Sequence, residues 1–221
     1  SGDVNMNKER LSRLITQYQK NLEFYRNARE FNEQDCRDEF ISPLLESFGW
    51  DVHNEKGTSP QYKEVVVEKF SNSGDRPDYT LTLNGVSKIF VEAKKPAVNI
   101  KEEQAEPAIQ ARRYGWNAKH KLSILTNFED MMIYDVTNKP QDGDAATVSL
   151  YRKYHYLEYI KKYEEIYDLI SRESVYSGKY DEYVEEKFPN EERYSTEVDE
   201  VFLKQINEWR LEIGDYLYHT D

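Results

Sequence analysis

The sequence predicts an α/β fold in which helix, strand, strand, strand, helix and strand follow one another along the chain. Three features predict it. Residues 75–96, DRPDYTLTLNGVSKIFVEAKKP, alternate with period 2 on either side of Asn84-Gly85, the pattern of two paired strands joined by a tight turn. Ahead of them, residues 11–25 and 32–49 space their apolar side chains at three and four, as one helical face does. After them, residues 101–116 return to helical spacing, and KLSILTNFEDMMIYDV reads as two more strands around Asn127 to Asp130.

In chain order, the first helix carries Leu11, Leu14, Ile15, Tyr18, Leu22 and Tyr25 on one face and is a packing helix. The second begins at Asn32, a good N-cap, and stops near Gly49. Wound at about 100° per residue, it aligns Phe40, Leu44 and Phe48 with Ile41 and Leu45 beside them, and the same stripe runs back through Arg37 and Glu33. Glu33 therefore faces inward and Glu39 faces solvent. Two roles stand open for Glu33: half of an i,i+4 ion pair with Arg37, or a carboxylate aimed at the sheet. Pro43 denies the Glu39 carbonyl its helical donor, which predicts a bend or a split. Residues 62–70, YKEVVVEKF, are short and β-branched, hence a strand, and SNSGDRP behind them is a turn or loop.

The central hairpin carries the chemistry. Strand alternation puts Phe90, Glu92 and Lys94 on one face and Ile89, Val91 and Ala93 on the other. Folding back at Asn84-Gly85 brings Asp78, at the head of its strand, close to Glu92. Two carboxylates and an ammonium then converge at one end of a small sheet. Carboxylate oxygens suit a hard divalent cation such as Mg2+, which keeps coordination sites for water and a phosphate oxygen. On the following helix Gln110 and Tyr114 sit at i,i+4 on one face, with Ala111 beside them and Arg112 and Arg113 turned away.

Composition limits the alternatives. The chain has 221 residues, 38% of them hydrophobic, enough for one ordinary core plus an appendage. No apolar run approaches bilayer length and the start lacks a signal-peptide pattern, so a cytoplasmic location with no membrane partner is expected. Cys36 is the single cysteine, which excludes an intrachain disulfide and a cysteine-rich zinc site, and it is expected as a small buried side chain. His53, His120, His155 and His219 show no metal-ligand spacing, and no phosphate-binding P-loop occurs. Net charge is −12: residues 1–150 hold 20 Lys+Arg against 24 Asp+Glu, and residues 151–221 hold 10 against 18. Such a balance opposes strong binding of DNA by this chain alone.

Pro77-Asp78 followed by Glu92-Ala93-Lys94 resembles the PD-(D/E)xK nuclease superfamily. Glu33, Arg37 and FISPLLESFGWDV resemble the first helix of type I restriction R subunits and of fused type IIG restriction-modification enzymes. Gln110-x-x-x-Tyr114 and LTNFEDMMIYD resemble an extra motif and a pair of strands in the same enzymes. The resemblance covers most of the chain and is strongest over residues 32–135. It implies a restriction-endonuclease-like αβββαβ core with a mixed central sheet. It implies a Mg2+-dependent endonuclease, with Mn2+ as substitute, that hydrolyses phosphodiester bonds of double-stranded DNA. Carried onto this sequence, Asp78 and Glu92 bind metal with the Ala93 carbonyl, and Lys94 orients or deprotonates the attacking water. Glu33 assists a second metal or orders water, and Gln110 and Tyr114 position the phosphate or Lys94.

After Pro140 the polar stretch QDGDAAT marks a boundary. Residues 1–145 are expected to be the nuclease domain with its packing helix, and 146–221 a helical extension leading toward a methyltransferase region outside the chain. In that extension Tyr156, Ile160, Tyr163, Ile166, Tyr167 and Ile170 share a helical face. SRESVYSGKYDEYV and EVDEVFLKQINEWRLEIGDYL resemble the linker of type IIG enzymes. The glycine-rich cofactor loop and the Asn-Pro-Pro-aromatic motif of an adenine methyltransferase are missing, so S-adenosylmethionine belongs only to a region outside this sequence. DNA affinity is expected mainly from other parts of a larger protein, with dimerisation one route to cleavage. Two readings compete with a type IIG nuclease: the nuclease domain of a type I R subunit, and a nuclease-fold module that positions DNA or docks proteins without cutting. The complete Asp78, Glu92 and Lys94 set favours cutting.

Overall fold

The computed structural model describes residues 2–69, 76–101 and 105–189, together with Gln205 and Glu208, which are helical and exposed. Residues 71–75 of the SNSGDRP loop and, apart from those two residues, the linker-like stretch at 197–217 with Trp209 lie outside the described residues. The chain divides into two compact units, Ser1–Phe188 and Pro189–Asp221. The first holds the sheet and its helices.

Helices α1 (Gly2–Lys20) and α2 (Leu22–Tyr25) bury Leu11, Tyr18 and Tyr25, with Leu14, Ile15 and Leu22 packed beside them. The predicted face is the buried one. The next helical stretch runs in three pieces: α3 (Glu33–Cys36), a π turn over Arg37–Ile41, and α4 (Ser42–Ser47). Asn32 opens it with a reciprocal capping box to Asp35. The expected disturbance at Pro43 takes the form of the π turn, where the Ser42 amide reaches back five residues to the Arg37 carbonyl. Cys36 is buried, as expected, with its thiol 3.7 Å from the Asn127 carbonyl.

Among the described residues six strands form one open sheet in sequence order: β1 (Val65–Val67), β2 (Tyr79–Leu83), β3 (Val86–Ala93), β4 (Leu122–Thr126), β5 (Asp130–Asp135) and β6 (Leu150–His155). The β3–β4 pair is parallel and the other four neighbouring pairs are antiparallel, which makes the sheet mixed. A parallel pair needs a crossover, and α5 (Glu106–Asn117) supplies it. β1 is shorter than the 62–70 pattern predicts, because Pro60–Tyr62 form a 3-10 turn ahead of it. The β2–β3 turn is as predicted: Asn84 and Gly85 have φ of 49° and 83°, the positive values of a tight hairpin. A Cβ on Gly85 would stand 2.3 Å from the Gln61 carbonyl oxygen, so this glycine also makes room for a neighbouring backbone.

Two expectations need correction. Residues 150–155, read as part of a helix, are strand β6; a 3-10 turn follows at Tyr156–Glu158 and the helix itself, α6, runs Tyr163–Ile170. The polar stretch after Pro140 does not separate two folding units, because β6 pairs with β5 and α6, α7 (Arg172–Tyr176) and α8 (Lys179–Lys187) enter the main core. Tyr163 donates to the Ser47 carbonyl at 2.6 Å, and the Trp50 indole donates to the Ile170 carbonyl at 2.9 Å, tying α6 to α4 and its exit. Arg112, expected only to turn away from the Gln110–Tyr114 face, is buried and paired with Asp144 at 2.8 Å; Arg113 is exposed.

Helix α5 lies close to the sheet at Gly115, where a Cβ would stand 2.4 Å from Ser123 Oγ and 2.6 Å from Val136 Cγ2. Gly115→Ala is therefore expected to lower unfolding free energy by about 1–3 kcal/mol, read as an earlier urea midpoint. An unchanged midpoint would contradict the close approach of α5.

Candidate active site at the end of the hairpin

Between Leu81 and Thr82 the β2–β3 register shifts: Thr82 faces Ser87, yet Leu81 faces Ile89, so β3 carries one extra residue at Lys88. Carried one residue beyond the last pair, Tyr79 to Val91, this register sets Asp78 against Glu92, and the two side chains interact. Without this bulge Asp78 would stand opposite Val91, whose side chain points to the other face of the sheet. The bulge thus brings the two carboxylates together.

Asp78 is held from two sides. Its Oδ2 accepts the Ala93 amide at 2.7 Å, and its Oδ1 accepts Arg37 Nη1 at 3.2 Å. Glu92 faces Asp78 and is 6% exposed, with Oε2 buried and without a hydrogen-bond partner. Burial, then the adjoining Asp78 carboxylate, push the Glu92 pKa up to about 10. At neutral pH the cation-free Glu92 therefore keeps its proton. Glu33 opens α3 and reaches the same cluster: burial and Asp78 raise its pKa, while Lys94, Arg37 and Lys95 oppose the rise. Lys94 Nζ lies 3.9 Å from Glu33 Oε1, and the Lys94 amide donates to the Thr126 carbonyl at 3.0 Å, fastening the end of β3 to β4.

Helix α5 brings the remaining candidates alongside. Gln110 donates to the Tyr114 hydroxyl at 3.2 Å, and Gln110 lines a cavity of about 730 Å3 together with Lys94, Val98, Pro107, Arg113 and Asp142. Thus Asp78, Glu92, Glu33, Lys94 and Ala93 meet in one place; Gln110 shares a cavity with Lys94, and Tyr114 is joined to Gln110 without lining that cavity.

The expected alternative for Glu33, a pair with Arg37, gives way to Lys94 on Glu33 and Asp78 on Arg37. Sequence reasoning placed Arg37 on the apolar stripe but missed its partner. The signal was available, because a guanidinium among Phe40, Leu44 and Phe48 needs a buried anion.

Among the described residues no group of three or more His, Cys, Asp or Glu is arranged as a ligand set for a metal ion. The donor chemistry nevertheless fits a hard cation: oxygen ligands only, one buried carboxylate oxygen without a partner, and an Asp78 carboxylate close enough to raise the pKa of both Glu33 and Glu92. No helix among the described residues is long and apolar enough to cross a membrane.

Residues 62–142 match the family model described as type I restriction enzyme R protein N terminus. This span holds Asp78, Glu92, Lys94, Gln110 and Tyr114 and stops short of Glu33 and Arg37. Over 209 residues, 92% of this chain, the sequence is 43% identical to the type II restriction enzyme and methyltransferase RM.Eco57I of Escherichia coli. The chain spans 20% of that relative's length. No solved structure matches the chain.

The raised pKa of Glu92 has a measurable sign. The unfolded chain releases this proton near the ordinary value of 4.5 while the folded one holds it to about 10, so metal-free stability falls as pH rises between those values. In EDTA, Glu92→Gln should therefore melt above wild type at about pH 8, with the gap closing toward about pH 5. A gap that is the same at both pH values would contradict the buried, protonated Glu92.

Proposed function

We propose that the chain, whose residues 62–142 match the type I restriction enzyme R protein N terminus and which is 43% identical to RM.Eco57I over 92% of its length, is a Mg2+-dependent nuclease domain of a type IIG restriction-modification protein, hydrolysing phosphodiester bonds of double-stranded DNA. The observation that carries this reading is the meeting of Asp78 and Glu92 across the bulged hairpin, with Glu33 and Lys94 beside them. The type IIG context is favoured over a type I R subunit because the 43% identity to RM.Eco57I extends over 92% of the chain.

Asp78 and Glu92, with the Ala93 carbonyl, would hold the cation, and Glu33 would serve a second ion or an ordered water. A bound Mg2+ supplies positive charge beside the phosphate and makes a coordinated water more acidic. Lys94 stands between this cluster and the cavity on α5. From there its Nζ orients the attacking water or takes its proton, and offsets charge that builds on the phosphate oxygens. The Glu33 carboxylate, 3.9 Å away, keeps the Lys94 side chain directed at the cluster. Gln110, steadied by its hydrogen bond to Tyr114, offers amide groups to a phosphate oxygen or to Lys94. Net charge of −12 leaves most DNA affinity to other parts of a larger protein, where S-adenosylmethionine would also bind; a DNA substrate fits a cytoplasmic location.

Within the larger protein that supplies the DNA affinity, and with Mg2+ or Mn2+ present, this domain is expected to cut duplex DNA. Asp78→Ala, Glu92→Ala and Lys94→Ala should each slow cutting about 100-fold or more while the far-UV circular dichroism stays native. Cutting at the wild-type rate by any of the three would remove that residue from the mechanism, and failure of all conditions to support cutting by wild type would remove the mechanism itself.

A further inference from the structure

Arg37 is 2% exposed, among the most deeply buried charges in the molecule, and it does not line the cavity beside Lys94. Its contacts are almost all with Asp78 and the residues flanking it. Nη1 donates to Asp78 Oδ1 at 3.2 Å, Nη2 donates to the Glu68 carbonyl at 2.5 Å and more loosely to the Asp78 carbonyl at 3.5 Å, and the guanidinium lies 5.2 Å from the centre of the Tyr79 ring. Its own backbone is fixed by the π turn, where its carbonyl accepts both the Ser42 amide and, at 3.4 Å, the Tyr79 hydroxyl. Meanwhile Nε is buried without a hydrogen-bond partner. An incompletely satisfied buried guanidinium is poor material for stability, and an apolar side chain of similar volume would serve the core at least as well.

We propose that Arg37 is a positioning residue for the divalent cation, clamping Asp78 against the Ala93 amide so that the carboxylate is already aimed at the ion before it arrives. The inference rests on the metal-dependent reading above and extends it to a residue outside the ligand set. With Oδ1 held by Arg37 and Oδ2 by Ala93, the carboxylate plane cannot rotate, and each oxygen keeps a lone pair for the ion. The proposal makes a prediction opposite in sign to simple electrostatics. A guanidinium beside a cation site repels the cation, so charge alone says that removing Arg37 tightens binding. Loss of aim says that it weakens binding.

Isothermal titration of Mn2+ into wild type, Arg37→Met and Arg37→Lys separates the two. Arg37→Met removes the charge at similar volume; Arg37→Lys keeps the charge and loses the planar fork that reaches Asp78 and Glu68 together. We expect Mn2+ binding about 10- to 100-fold weaker in both variants, with the Mn2+ concentration for half-maximal cutting raised by the same factor. If Arg37→Met does not fold, Arg37→Lys decides. Binding equal to or tighter than wild type in the folded variants overturns the positioning role and leaves the nuclease reading standing. A wild type that takes up no Mn2+ overturns the metal-dependent reading, and this inference with it.

Discussion

One extra residue in β3 governs the site. The bulge between Leu81 and Thr82 advances the pairing so that Asp78 ends opposite Glu92, and a strand slip of one residue would put the two carboxylates on opposite faces. The tight turn at Asn84-Gly85 fixes one end of this register, and the Ala93 amide on Asp78 Oδ2 fixes the other. Everything else that reaches the cluster is positioned relative to this hairpin. Arg37 and Glu33 arrive from the π-turned helix packed beneath it, and Lys94 follows Glu92 by two residues along the same face. Gln110 and Tyr114 arrive on the helix that the parallel β3–β4 pair requires.

The cluster is expensive to build without an ion. Three carboxylates crowd together in a half-buried place, and the protein answers with Lys94 near Glu33, Arg37 on Asp78, and a proton kept on Glu92. Each answer stabilises the cation-free state without closing the site. Such a compensated group of carboxylates costs a small domain stability that an apolar core would not, and on that ground we propose a functional role for it.

Much of this was legible in the sequence because it depended on local rules. Period-2 alternation, an Asn-Gly turn and an Asn32 cap determine the hairpin and the helix start, and one helical stripe put Glu33 on the inward face. What was not legible depended on partners far along the chain. The bulge at Lys88 leaves no mark in a pattern of alternating residues, so the meeting of Asp78 with Glu92 was expected from fold-back alone. Arg37 read as the neighbour of Glu33 because helical spacing sees four residues and not the 41 that separate it from Asp78. Residues 150–155 read as helix because tyrosines at three and four continue from 156 to 170, and their pairing with β5 is a tertiary fact. The same holds for Arg112, which is buried against Asp144 on the loop between β5 and β6.

The central claim is that Asp78 and Glu92 form a cation site. Anomalous diffraction from a crystal soaked in Mn2+ tests it most directly. The account predicts a peak in contact with the Asp78 and Glu92 carboxylates and the Ala93 carbonyl. A strong peak elsewhere, or none at these residues while Mn2+ supports DNA cutting in solution, would contradict it.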